Sequence, residues 1–294
     1  MSRRDLVVFA RNRVRPLRDS ANRCVAAVAR ASGLGNYIVL DYPATGRHDP
    51  VVRRTGALAE IVAGAEPEYR NSLQLIASFT DDLARSADVL PWRNTLLPGL
   101  DAAAIYAFIR SRQPATYFEI GSGISTQFAR RAIVDGGLPT RIVAVDPSPR
   151  TSVDELCDVL MREPLELADP TFFEALRPGD IVFFDGSHRV FTGSDAAVFF
   201  LELLPQIAPG VLVGIHDVYL PDDYPASVSG RHYSEQYLLA ALLLGEPAWL
   251  RLVLAADYAS KRRELATELD ALWIRQELKG VEQHGVALWF EVSN

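Results

Sequence analysis

Cysteine is nearly absent from this 294-residue chain: Cys24 and Cys157 are the only two, far apart and in no metal-binding or redox spacing. That excludes a disulfide framework and makes a reducing compartment, the cytoplasm, the expected setting. Lysine is as scarce, with Lys261 and Lys279 beside 28 arginines. The longest apolar run, Tyr237 to Gly245, falls far short of the roughly 20 residues of a membrane span. Val7 to Ala10 is too short for the apolar part of a signal peptide. Internal repeats and low-complexity tracts are also missing, so repeat architectures drop out.

What is present is a composition that can bury a core: 49% hydrophobic and 23% charged residues. The net charge of −7 hides a split. Residues 1–60 carry 11 arginines against five acids, a net +6, and the remainder is −13. An acidic body argues against a nucleic-acid binder. The basic head, with Arg3, Arg4, Arg11, Arg13, Arg15 and Arg18, reads as a solvated face, a lid or an oligomer contact.

Along the chain, helical spacing dominates up to residue 112, through Leu73, Ile76, Ala77 and Leu83 and again through Leu100, Ala103, Ala104, Ala107 and Phe108. Pro91, Pro98 and Gly99 interrupt it. A strand-like Tyr37–Leu40 stands alone. From residue 115 the rhythm changes to short apolar strands alternating with helices, the pattern of a parallel sheet covered on both faces. The strands expected are Thr116–Ile120, Arg141–Val145, Leu165–Ala168, Ile181–Phe184, Val211–Ile215, Leu250–Leu254 and Val286–Val292. Helices are expected to start near Ser125, Val153, Pro170, Asp195, Tyr233 and Ser260, and a long one to run from Arg262 to Lys279. The last strand alternates, which suits an antiparallel addition at the sheet edge. The fold class is α/β, a seven-stranded, mostly parallel, doubly wound sheet, with residues 1–90 as a mainly helical extension and 91–294 as the domain.

In such sheets ligands bind beyond the carboxyl ends of the strands, and the polar motifs cluster there. The first strand runs into Glu119-Ile-Gly-Ser-Gly-Ile-Ser-Thr126. Gly121 and Gly123 allow a tight turn and close backbone approach, and the helix opening at Ser125 offers free N–H groups. A dinucleotide fingerprint wants a third glycine where Thr126 stands. That favours a nucleoside with a carboxylate over a nicotinamide dinucleotide. Asp146, ending the second strand, is placed to accept both hydroxyls of a ribose, or to cap the next helix. Asp185 ends the fourth strand and His188 follows three residues later, an imidazole suited to proton transfer near neutral pH. Asp185, His216 and Asp217, from adjacent strand ends, are a candidate magnesium or manganese site, or else a loop-ordering cluster. Arg231, His232 and Tyr233 are candidate acceptor-pocket residues.

Together these motifs resemble the class I S-adenosylmethionine-dependent methyltransferases, in particular a bacterial group with E-I-G-S-G-x-S-T, F-x-D-G-S-H-R-V-F, I-H-D-V-x-L-P-x-D-Y-P and Y-S-E-Q-Y-L-L-A segments. Here these are Glu119–Thr126, Phe183–Phe191, Ile215–Pro225 and Tyr233–Ala240, with Pro91-Trp92 and Leu97–Asp101 upstream. The resemblance spans roughly residues 90–260. It implies a Rossmann-like sheet with its last strand antiparallel, and S-adenosylmethionine held by Glu119, Gly121, Gly123, Ser125, Asp146 and Asp185. In related metal-dependent sugar O-methyltransferases the D-x-x-H pattern, here Asp185 and His188, supplies a metal ligand and the base. A Glu–Asp pair stands there where this chain has His216-Asp217.

The expected activity is therefore O-methylation of a small polar or sugar-containing acceptor. Asp185 and His188 would be catalytic, and Asp185, His216 and Asp217 would be the ligands of any divalent cation. No nucleic-acid partner and no integral membrane segment are expected, and a homo-oligomer stays open. A nicotinamide oxidoreductase and a non-catalytic nucleoside-binding protein on the same fold are the rival readings.

Overall fold

The computed structural model describes residues 56–293, together with Cys24, Val28 and Ala31. The expected strand at Tyr37–Leu40 and the basic head lie outside the described residues. The short apolar runs assemble into one seven-stranded sheet: β1 Thr116–Ile120, β2 Arg141–Val145, β3 Val159–Met161, β4 Ile181–Phe184, β5 Leu212–Ile215, β6 Leu250–Ala255 and β7 Leu288–Val292. Their spatial order is β3-β2-β1-β4-β5-β7-β6. Strands β1 to β5 pair in parallel, and β7 runs antiparallel to both β5 and β6. The order reverses between β1, which leads outward to β2, and β4 on its other side. In open α/β sheets the crevice at such a switch is where ligands are received.

Among the described residues, the helices that position the sheet and its loops are α1 Ala57–Gly64, α2 Glu66–Ser78, α3 Thr80–Ser86, α4 Gly99–Arg112, α5 Ile124–Gly136, α6 Asp195–Val198, α7 Glu235–Leu244 and α8 Ala256–Lys261. Helix α4 is buried from Gly99 to Ile109 on all sides. Its alanines, Ala102, Ala103, Ala104 and Ala107, explain how neighbours close in on every face without voids. Helices α1 to α3 lie in one compact unit with the sheet. Tyr69, Leu73, Ile76 and Leu83 are fully buried, and the Ser72 hydroxyl donates to the Val253 carbonyl of β6 at 2.8 Å.

Four expectations need correction. Leu165–Ala168 is not a strand: Leu165–Leu167 is a turn of 3-10 helix after Pro164, and the third sheet neighbour is Val159–Met161. The alternation of Leu165 and Leu167 imitated a strand, yet Leu167 is 71% exposed and has no sheet to face. The last strand is not at the edge but between β5 and β6. Leu288, Trp289 and Phe290 are all buried, so both faces are covered, as an interior position requires. Trp289 lies 5.4 Å from the Phe183 ring and 5.0 Å from Phe108, and its truncation would cost about 3–5 kcal/mol. Arg262–Lys279 is not one helix but short pieces, Arg263–Ala266, Thr267–Leu269, Asp270–Trp273 and Gln276–Leu278. Leu265, Leu269 and Leu272 keep the helical spacing and stay buried, while tightened turns such as Arg275 N–H to Leu272 C=O break the run. The helix expected at Val153 is also absent, replaced by a turn closed by Leu156 N–H on Val153 C=O at 2.9 Å.

Candidate active site

The loop after β1 is built around one steric demand. Gly121 has φ 78°, and a Cβ there would sit 2.0 Å from the Asp185 carbonyl oxygen. Only glycine lets the loops after β1 and β4 touch. Gly123 differs: its φ is extended, and a Cβ would meet nothing nearer than Thr151 Oγ1 at 3.9 Å. Its missing side chain leaves space in front of α5 rather than relieving a clash. The amides of the first turn of α5 lie outside the helical ladder and face that space.

Thr126 does more than fill the place of a third glycine. Its hydroxyl accepts from the Gly123 N–H at 2.9 Å and donates to Glu119 Oε2 in a short bond. Glu119 is fully buried, and its Oε1 also accepts from the Tyr117 hydroxyl at 3.0 Å. Burial raises its pKa to about 7, opposed by hydrogen bonds from Ser125, Thr126 and Tyr117. Glu119 and Ser125 thus brace the loop from beneath. Asp146 serves it from the side: Oδ2 accepts from the Ser122 N–H at 2.7 Å and the Ser122 hydroxyl at 3.1 Å, and Oδ1 from the Ser148 N–H at 2.8 Å. A carboxylate has about four acceptor positions, so one remains for a ribose hydroxyl.

One strand over, the ends of β4 and β5 gather a second group. His188 is buried, with Nδ1 2.6 Å from Glu235 Oε1 and Nε2 3.2 Å from Asp185 Oδ1 and 3.5 Å from Asp217 Oδ2. Its ring also lies 4.4 Å from that of Tyr233, tilted by 34°. His216 stands beside it, its Nδ1 3.4 Å from Asp185 Oδ1 and its Nε2 3.5 Å from Asp101 Oδ2. Asp185 is the outward member, its side chain 34% exposed, whereas those of Glu235 and Asp101 are fully buried. Burial alone would lower both histidines. For His188 the Glu235 and Asp185 carboxylates outweigh it, for His216 those of Asp185 and Asp101, and both end well above the ordinary imidazole value. Burial would raise Asp185, but His216 and His188 hold it well below the usual carboxylate range.

The backbone is bent to reach this arrangement. His188, Asp217 and His232 adopt φ of 62°, 56° and 55°, a region costing a non-glycine residue roughly 1–2 kcal/mol. The loop after β4 is tied to α7 by Ser234, whose N–H donates to the His188 carbonyl and whose hydroxyl accepts from the Val190 N–H, each at 2.8 Å. The first two residues of α7 point inward: Glu235 to His188, and Gln236 to the Tyr219 N–H at 2.9 Å.

Asp185, His216 and Asp217 do come together, with His216 Nδ1 also 3.9 Å from Asp217 Oδ1. Among the described residues, however, no group of three or more His, Cys, Asp or Glu side chains is arranged to hold a metal ion. His216 turns Nδ1 toward Asp185 and Asp217 and Nε2 toward Asp101, and neither ring nitrogen makes a hydrogen bond. Of the expected acceptor residues, Tyr233 lies tilted against His188, whereas Arg231 and His232 are exposed. Sequence reasoning assigns no role to Glu235 or Asp101. Both lie within the motifs Tyr-Ser-Glu235-Gln and Leu-Pro-Gly-Leu-Asp101, as charged residues beside apolar runs, which is the only local signal they give.

No curated protein matches the chain. Among solved structures, it is similar to the SAH-bound methyltransferase PaMTH1 of Podospora anserina, at 15% identity over 82% of this chain and 99% of that one, with a TM-score of 0.42. It is also similar to an SAH-complexed O-methyltransferase of Bacillus cereus, at 14% identity over 74% of this chain and 90% of that one, with a TM-score of 0.41. Residues 118–218, from β1 to just past β5, match a family model described as a methyltransferase domain. The matched stretch takes in the motifs at the carboxyl ends of β1, β2, β4 and β5, and it is similar to a methyltransferase domain.

Proposed function

We propose that the chain transfers a methyl group from S-adenosylmethionine to an oxygen of a small polar or sugar-containing acceptor, with His188 as general base. The observation that carries this reading is the pairing at one switch point. A glycine loop with open space before α5 lies beside a buried histidine whose Nε2 faces the partly exposed Asp185. When bound, S-adenosylmethionine supplies an electrophilic methyl carbon on a positively charged sulfur. Asp146 and the first-turn amides of α5 would receive its ribose and carboxylate, while Gly121 and Gly123 keep side chains out of its way.

The rest is proton handling by the chain. Glu235 Oε1 takes the Nδ1–H of His188 and sets the tautomer that leaves Nε2 free to accept the proton of the acceptor hydroxyl. Once protonated, Nε2–H is received by Asp185 and Asp217, which stabilise the imidazolium. Burial of the cluster strengthens these charge contacts. No step runs through a metal. The two free cysteines, Cys24 and Cys157, support a cytoplasmic setting.

Calorimetric titration with S-adenosylmethionine and with NAD is the direct test. Binding of the first alone is expected, followed by release of S-adenosylhomocysteine with hydroxylated acceptors. Binding of NAD alone would overturn the reading.

A further inference from the structure

We propose that Arg189 and Arg231 clamp an anionic group of the acceptor, a carboxylate or a phosphate, beside Tyr233. This rests on the methyl-transfer reading above and names the acceptor class. Both arginines are exposed, yet neither side chain hangs free. Arg189 Nε donates to the Arg231 carbonyl at 3.0 Å, and an Arg231 N–H donates to the Tyr233 hydroxyl at 3.1 Å. Both guanidinium carbons lie 5.7 Å from the centre of the Tyr233 ring. That ring in turn lies 4.4 Å from His188, so two cations stand one aromatic ring away from the base.

Neither guanidinium forms an ion pair with a carboxylate among the described residues. Elsewhere Arg110, Arg112 and Arg130 each close on an acid, Asp82, Glu291 and Asp158. Two like charges held on one ring repel until an anion sits against them, and guanidinium forks match carboxylate and phosphate oxygens. Their bonds to the Arg231 carbonyl and the Tyr233 hydroxyl hold them in advance, which lowers the ordering cost of binding.

Charge also decides how an acceptor would lie. Asp185, Asp217 and Glu235 crowd His188, so an anionic group is repelled from the base itself. An acceptor carrying one would place it at Arg189 and Arg231 and turn its neutral hydroxyl inward, toward Nε2. The two arginines then orient the reacting oxygen by exclusion at one end and attraction at the other.

The test uses the full chain loaded with S-adenosylhomocysteine and three probes of one shape: benzoate, phenyl phosphate and benzyl alcohol, titrated by calorimetry or ligand-observed NMR. At least one anion is expected to bind about tenfold more tightly than the alcohol. Preference for benzoate or for phenyl phosphate assigns the carboxylate or the phosphate. In the double variant Arg189→Gln/Arg231→Gln the preference is expected to fall to within about twofold. Arg231→Lys, which keeps the charge and loses the fork, is expected to retain part of it. Equal binding of all three probes, or a preference that survives in the double variant, would overturn the clamp. Failure of S-adenosylhomocysteine to bind at all would overturn the functional reading instead, and the probe comparison on the unloaded protein would still decide the clamp.

Discussion

The two halves of the switch-point crevice are built in different ways. On the β1–β2 side, Gly121, Ser122, Gly123 and Thr126 lie within six residues, and Asp146 at the end of the adjacent strand closes the group. Backbone turns and short-range hydrogen bonds make that half. On the β4–β5 side, the pairs are distant in sequence: His188 with Glu235, 47 residues on, and His216 with Asp101, back on α4. That half is made by side chains that meet only after α4, α7 and the sheet have packed. The first half resembles a preformed cradle, the second a charge cluster whose properties belong to the assembly.

If the halves are as separable as their construction implies, substitutions should fall into two classes. The largest effect belongs to the acceptor side. His188→Ala should lower kcat by about 10²- to 10⁴-fold while leaving S-adenosylmethionine affinity within a factor of a few, measured by calorimetry and initial rates. A matching loss of cofactor affinity would merge the two halves. Next comes Asp146→Ala, which removes a charged acceptor from the loop and from the expected ribose contact. Cofactor binding should weaken by roughly 10- to 100-fold, with the pH dependence of kcat unmoved.

The smallest effect is the sharpest probe of the second half. His188 is held above its ordinary pKa by Glu235 and Asp185, and a base must be neutral to act. Activity should therefore rise with pH along a limb lying above the ordinary imidazole value. Glu235→Gln removes one of the charges, so the limb should move to lower pH while kcat falls by about tenfold. A merely structural role for Glu235 would change the rate without moving the limb. The same raised pKa bears on stability with a definite sign. The charged histidine's contribution is complete below the unfolded value of about 6.5 and is lost as pH rises through the folded one.

Legibility in the sequence follows the same division. β1, β2 and β4 are legible with their observed bounds because each is a short apolar run followed by a glycine or proline turn. The misreadings have physical causes. Leu165–Leu167 has strand-like alternation, but Leu167 faces water. β7 has an alternating set, Val286, Leu288 and Phe290, yet Trp289 between them is equally buried because α4 covers that face, with Phe108 against its ring. In the site, Gly121 and Asp146 are legible as residue types at strand ends. Glu235 is hidden because a glutamate opening an apolar helix reads as a favourable charge at the helix N-terminus, and nothing local says that it turns inward.

The sequence by itself determined the alternating strand–helix order, the glycine loop, and the placing of Asp146, Asp185, His188, His216 and Asp217 at strand ends. Those features follow from local periodicity and turn chemistry, which neighbouring residues specify. Only the tertiary structure decided which groups come together: that His188 answers to Glu235, that His216 is wedged between Asp101 and Asp185, and that Arg189 reaches the Arg231 carbonyl beside Tyr233. Electrostatic coupling depends on distance through space and on burial, and neither is a property of position along a chain.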